Sequence, residues 1–420
     1  MSPGKRERNP WAVLAYTVAD DRSDGDAIDA SARRELAAVC QAADYFGEMS
    51  VAAQVDFKRS RGVFRGVVAR TLQKKRSYPG FKAARAASHP LWRDIEGRLK
   101  RSGLRVLEED VDLNAARAHV LRDFLRFGRA ECPADQYVVF FYGHGYGPVG
   151  VFFDADAGED EADTLQLSAL ANSVETIGER AAVIVFRVCQ VNTLETAYQL
   201  KDAAKFMIAS QSVVPIAGIW PWETFMTGLF PGAAAEDVAQ SIARQLALFL
   251  RAPANRTPFA DVPYTLIDLG AAHAVAKPLK ALANALDAAR DLKACAAACS
   301  RALEASRVGF PDDPKNPGDP ALLDVRTMCD KLQKLTRYPA VSGPARALGE
   351  VVAEKLVKWH SSRHGLHRGT ALFYKPTTRH QVEHSHVYDE NAAVKDARNY
   401  RRLALSQATG WDRIALRPLG

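Results

Sequence analysis

Two side chains able to carry acyl-transfer chemistry stand just past apolar runs. His144 follows Tyr137-Val138-Val139-Phe140-Phe141-Tyr142 and sits inside Gly143-His144-Gly145. Cys189 follows Ala181-Ala182-Val183-Ile184-Val185-Phe186, after Arg187 and Val188. A free thiol titrates at about pH 8.5, so only a few per cent is thiolate at neutrality, and a neighbouring imidazole that takes its proton and stabilises the ion pair creates a nucleophile. The glycines beside His144 let a backbone N–H approach a developing oxyanion with no Cβ in the way. A Cys/His nucleophilic site is the sharp reading. Against it, cysteine is a common core filler, five others occur in the chain, and a lone histidine is often structural. Spacing alone leaves both readings open.

What lifts the pair is the placement that the surrounding elements require. Both runs are β-branched and aromatic, as buried strands are, and each delivers its reactive residue at its carboxyl end. In an open parallel sheet that is the rim where ligands gather. The separation of 45 residues from His144 to Cys189 leaves room for a strand-helix-strand crossover, with a helix over Gln166 to Ile177. Other strands are expected at Trp11 to Val18, Met49 to Phe57 and Lys205 to Ala209. Amphipathic helices are expected at Ala115 to Arg129 and Ala233 to Leu250. Beyond Pro263 to Leu269 the chain reads as alanine-rich helices, then a loop from Gly309 to Pro320 and further helices to Trp359. A late strand over 369–375 and a last helix near Asn399 to Gln407 follow.

A chain of 420 residues, 47% apolar and 25% charged, can bury a large core, and its apolar runs are too short to span a membrane. Six cysteines are too few for a disulfide framework, and no apolar segment follows the basic N-terminus. Both features suggest a cytoplasmic protein. Cys295 and Cys299 stand four apart without a second ligand pair, so they read as buried small hydrophobes and no metal site is expected. The net charge of +7 is local: residues 58 to 100 hold thirteen Lys/Arg against Asp94 and Glu96. That stretch is read as a basic insertion (about 58–103) rather than a nucleic-acid-binding arm. The acidic run Asp154 to Asp163 reads as a solvated loop, although its oxygens could hold calcium. His360 to His367 is a polar tract whose ligand spacing is irregular.

Several of these segments, in this order, resemble the clostripain-like cysteine peptidases of the caspase, gingipain, legumain and separase structural group. They are Tyr142-Gly143-His144-Gly145-Tyr146-Gly147, Gly150 to Asp154, Cys189, Glu195 to Leu200, Ala209-Ser210-Gln211 and Trp220-Pro221-Trp222. Trp11 to Tyr16 upstream and Ala371 to Pro376 downstream extend the likeness over most of the chain. The resemblance implies an α/β fold: a caspase-like α/β/α sandwich with a mostly parallel central sheet and additional C-terminal helices. The catalytic core would occupy 9–270, and a helical region over 271–420 would return the late strand and helix to it. The resemblance also implies a His144/Cys189 dyad, an oxyanion hole formed by the Gly145 and Cys189 amides, and hydrolysis of protein or peptide substrates through an acyl-thioenzyme. A catalytically silent scaffold or binding protein of the same fold is the alternative.

Two departures stand out. The family commonly carries an acidic residue two positions before the nucleophile, where it helps select arginine or lysine. Here that position is Arg187, which would repel a basic side chain unless neutralised. Asp20 and Asp21, after the first strand, could supply the missing charge, and Ser210 is a further candidate pocket residue. Relatives are often cut after a basic residue in the loop following the histidine, whereas Asp154 to Asp163 contains none. Any activating cut is expected between Arg70 and Arg101, with an upstream protease as the candidate agent. Intact-mass measurement of the purified protein should show no cleavage between Phe153 and Asp163, and a fragment ending there would contradict this expectation.

Overall fold

The computed structural model describes residues 8–19, 27–47, 49–57, 63–70, 82–84, 90–108, 113–153, 164–215, 218–252, 262–309, 318–361, 367–385, 387–388 and 397–419. The basic segment is therefore described only in part. Asp20, Asp21, the acidic loop and most of the His360 to His367 tract lie outside the described residues.

The centre is a run of extended segments that the sequence makes almost wholly apolar. In chain order the strands are β1 (Asn9–Val18), β2 (Ser50–Asp56), β3 (Val63–Ala69), β4 (Lys82–Ala84), β5 (Gly103–Glu108) and β6 (Ala134–Tyr142). They continue as β7 (Val151–Phe153), β8 (Thr164–Leu165), β9 (Ala181–Arg187), β10 (Ala204–Ser210), β11 (Tyr264–Asp268), β12 (Leu322–Asp324), β13 (Val357–His360) and β14 (Ala371–Phe373). Ten of them form one sheet in the order β13-β11-β10-β9-β6-β1-β2-β3-β5-β4. Parallel pairing is confined to the middle, from β10 through β9, β6 and β1 to β2, and both flanks are antiparallel. Strands buried on both faces need apolar residues at every position rather than alternation, which is why β6 and β9 read as continuous runs.

Side chains alternate between two cores. Leu14 and Tyr16 of β1 join Val139 and Phe141 of β6 on one face, under α3 (Ala118–Glu131), α4 (Leu167–Val174), α5 (Leu194–Leu200) and the C-terminal helices. Val13 of β1 and Val138 and Phe140 of β6 face the opposite way. They lie under α1 (Ala27–Phe46), α2 (Pro90–Arg98), α6 (Trp222–Thr227) and α7 (Ala235–Arg251). The result is a three-layer α/β/α sandwich with a hydrophobic core on each face. No described helix is long and apolar enough to cross a membrane.

The structure differs from the sequence reading in the basic stretch, which supplies β3 and β4 to the main sheet and buries Trp92 and Ile95 of α2 in the core, and again near the C-terminus. The helix Pro339–Val351 passes into a π-turn (Val352–Leu356) and then becomes β13, which pairs antiparallel with β11 at the sheet edge. The helical reading to Trp359 therefore ends early. Val357-Lys358-Trp359-His360 carries no run of apolar residues because an edge strand is only half-buried.

The C-terminal region also reaches the helix that follows Cys189. Strand β14 pairs with β12, and Ala371 bridges to Thr193 at the start of α5. Inside α5, the fully buried carboxyl of Glu195 accepts hydrogen bonds at Oε1 from the Phe373 N–H (3.0 Å) and the Tyr400 hydroxyl (2.7 Å). Burial raises the Glu195 pKa above the ordinary glutamate value, and these two hydrogen bonds offset it only in part. An acid whose folded pKa is raised holds its proton longer in the native state than in the unfolded chain. Its contribution to stability therefore falls as pH rises above the ordinary glutamate range. Glu195→Gln removes that dependence. Denaturation from about pH 4 to about pH 8 should show the variant gaining stability relative to the parent as pH rises, and a difference that does not vary with pH would contradict this.

Candidate active site

The sheet register brings the two reactive residues to one level. Strands β6 and β9 are adjacent and parallel, with Tyr142 paired to Arg187 at their carboxyl ends, and Gly143 N–H donates to Arg187 O at 3.4 Å. His144 and Cys189 each stand two residues beyond that last matched pair, on neighbouring turns at the rim. The turns themselves touch. A Cβ on Gly145 would lie 2.2 Å from the Cys189 carbonyl oxygen and 2.3 Å from Val188 Cγ1, so only glycine fits there.

Each turn is pinned from behind. His144 O accepts from the Phe152 N–H (2.8 Å), Gly145 bridges to Val151, and the hairpin of β7 and β8 continues that contact. The His144 ring is half-buried and stacks near Tyr146, with centroids 6.5 Å apart. On the other turn, Gln190 adopts a left-handed conformation (φ 55°), a strained choice for a side chain larger than glycine. Its N–H donates to Ser212 O (3.0 Å), and Asn192 N–H donates to Ser210 O (3.0 Å), tying the turn to the end of β10. Thr193 then caps α5 through Oγ1.

Exposure separates Cys189 from the other thiols. All six cysteines are free; five are buried and Cys189 alone is partly open. Burial pushes Cys40 and Cys299 up to about 12 and raises Cys132 and Cys329 further, which makes them poor nucleophiles. The Cys189 sulfur accepts the Val214 N–H at 3.3 Å and donates to the Val214 carbonyl at 3.8 Å.

The other residues singled out from the sequence fall as follows. Arg187 is buried, its Nη1 pairs with Glu35 Oε1 from α1, and its Nη2 donates to Gly218 O at 3.0 Å. Its guanidinium lies over the rings of Tyr142 (4.6 Å) and Trp220 (5.5 Å). Ser210 is fully buried, and its Oγ accepts from the Ser212 N–H within its own turn. No group of three or more His, Cys, Asp and Glu among the described residues could hold a metal ion. A cleft of about 410 Å³, open solvent included, lies between the sheet and α1, lined by Thr17, Glu35, Tyr142, Arg187, Trp220 and Trp222 among others.

Sequence reasoning missed Glu35 and Asp319. The Asp319 carboxylate is fully buried and accepts from Ala321 N–H (2.7 Å), Ser385 Oγ (2.8 Å), Val387 N–H (3.0 Å) and, more distantly, Gln190 Nε2 (3.4 Å). Val387 in turn packs 3.1 Å from where a Gly147 Cβ would be, in the histidine turn. One carboxylate thus joins the cysteine turn to a segment that rests on the histidine turn. Nothing in the local sequence marks either acid, because the partners of both are more than 60 residues away except Ala321.

The sequence profile of the Clostripain family matches residues 95–328, more than half of the chain. No curated protein matches. Among solved structures, a secreted cysteine protease from Bacteroides thetaiotaomicron in complex with an irreversible peptide inhibitor is similar, with a TM-score of 0.61 at 14% identity over 96% of this chain and 99% of that one. A further structure of a secreted cysteine protease from that organism gives 0.60 at 12% identity over the same shares. An inactive zymogen protease from Parabacteroides distasonis gives 0.56 at 15%, over 97% and 99%. These neighbours share the fold. They also overturn the cytoplasmic expectation, since secreted proteases of this fold point away from that compartment. The physical reason is that a domain with two large cores needs no disulfides, so free cysteines do not report where it works.

The contact at Gly145 yields a prediction. Gly145→Ala should force the histidine and cysteine turns apart and lower peptidase turnover roughly 100-fold, as a misplacement of about 1 Å can, with the circular dichroism spectrum retained. Turnover within a few-fold of the parent would contradict it.

Proposed function

The chain belongs to the clostripain family of cysteine proteases, and on that premise we propose that it is an endopeptidase whose dyad is His144 and Cys189. The observation that carries the reading is the shared register of β6 and β9, with Gly145 seated directly against the Cys189 carbonyl. His144 takes the thiol proton, and the thiolate attacks the substrate carbonyl carbon to form a tetrahedral oxyanion, which the Gly145 and Cys189 N–H groups stabilise. The intermediate collapses as His144 gives the proton to the leaving amine, so that a thioester remains. Water, deprotonated by His144, then attacks the thioester; the acid product leaves and the thiol is restored. The substrates are peptides or proteins.

Cleavage after basic residues would need an acidic group turned to the substrate. The acid beside Arg187 is Glu35, which is committed to Arg187 and to two tryptophan N–H groups. Latency relieved by a cut in the basic segment is part of the same proposal, and the zymogen among the fold neighbours makes it a natural one. Cys189→Ala should abolish hydrolysis of a peptide library while preserving the thermal unfolding midpoint, and alkylation of the parent at neutral pH should add one adduct, at Cys189. Undiminished hydrolysis by the alanine variant would remove the assignment.

A further inference from the structure

We infer that the cleft lined by Arg187, two residues before Cys189, selects an uncharged side chain immediately before the cleaved bond, because Arg187 and Glu35 cancel each other there. This rests on the peptidase reading above. Arg187 ends β9 two residues before Cys189, and its side chain and that of Glu35 are only 3% and 7% exposed. Both oxygens of Glu35 are engaged. Oε1 accepts from Arg187 Nη1 and from the Trp220 N–H (2.7 Å), and Oε2 accepts from the Trp222 indole N–H. On the other side of the pair, Tyr142 and Trp220 cover the guanidinium and Gly218 O takes its Nη2.

A substrate lysine or arginine entering here would have to compete with Arg187 for a carboxylate already satisfied by three donors. It would also meet a guanidinium of its own sign. An aspartate or glutamate would meet the reverse: a cation whose partner is in place and whose carboxylate repels the newcomer. Neither charge gains a partner, while both lose water. The remaining lining is apolar or aromatic apart from Thr17, including Ala15, Leu36, Ala53, Phe140 and Trp222. Such a surface gains by covering an uncharged side chain.

The test is a peptide library cleaved by the full chain, with the preference before the cut read for the parent, Glu35→Gln and Arg187→Met. The parent should favour uncharged residues by about tenfold or more over Lys, Arg, Asp and Glu. Glu35→Gln leaves the guanidinium unbalanced and should move the preference toward Asp and Glu. Arg187→Met leaves the carboxylate and should move it toward Lys and Arg, opposite shifts that a purely structural pair would not produce. A parent preference for charged residues overturns the inference, as does an unchanged profile in both variants when they fold and turn over. If the variants do not fold, the parent profile decides. A charged preference that Cys189→Ala abolishes sinks the cleft assignment alone. Cleavage that survives Cys189→Ala, or no cleavage and no labelling of Cys189 by peptidyl chloromethyl ketones even after limited proteolysis of the basic segment, sinks the peptidase reading with it.

Discussion

The structure depends on one pairing: β6 beside β9, parallel, with Tyr142 opposite Arg187. A single-residue slip would turn every side chain of one strand to the other face and exchange its partners between the two cores. Because Val138, Val139, Phe140 and Phe141 are buried on alternate sides, that slip is opposed at each position. The rim residues inherit the same accuracy. His144 and Cys189 extend the matched strands by the same length, so this register and the close approach at Gly145 set both residues at one level of the rim.

The register also explains the position of Arg187. As the last residue of a buried strand it enters a low-dielectric space, where an uncompensated cation is costly. Glu35 on α1 and the rings of Tyr142 and Trp220 make that burial tolerable. A charge that looks, in the sequence, like an element of recognition is in the fold also an element of the core. The two roles are not exclusive, but the second constrains the first.

Much of this was legible before any coordinates. Strands β1, β6, β9 and β10 were recognisable because burial on both faces demands unbroken apolar runs, and the histidine turn because glycine interrupts its run. The order of the motifs carried the sandwich. Strand β13 was not legible: Lys358 and His360 leave it without an apolar run, and the preceding helix runs into it without a breaking residue. Glu35 was not legible either, since a glutamate on an amphipathic helix looks like ordinary solvent-facing charge until a partner 152 residues away claims it. Asp319 has the same character, its role being set by Ser385, Val387 and Gln190. The cytoplasmic expectation failed for a different reason, because the number of thiols measures a need for crosslinks and not an address.

The cysteine turn takes its supports from far along the chain. Gln190 meets Asp319, the Asn192 amide donates to Gly369 O (2.7 Å), and Glu195 in the next helix is held by Phe373 and Tyr400. During synthesis these partners leave the ribosome last. A nascent chain can therefore form the parallel centre of the sheet before it can lock the turn that carries Cys189.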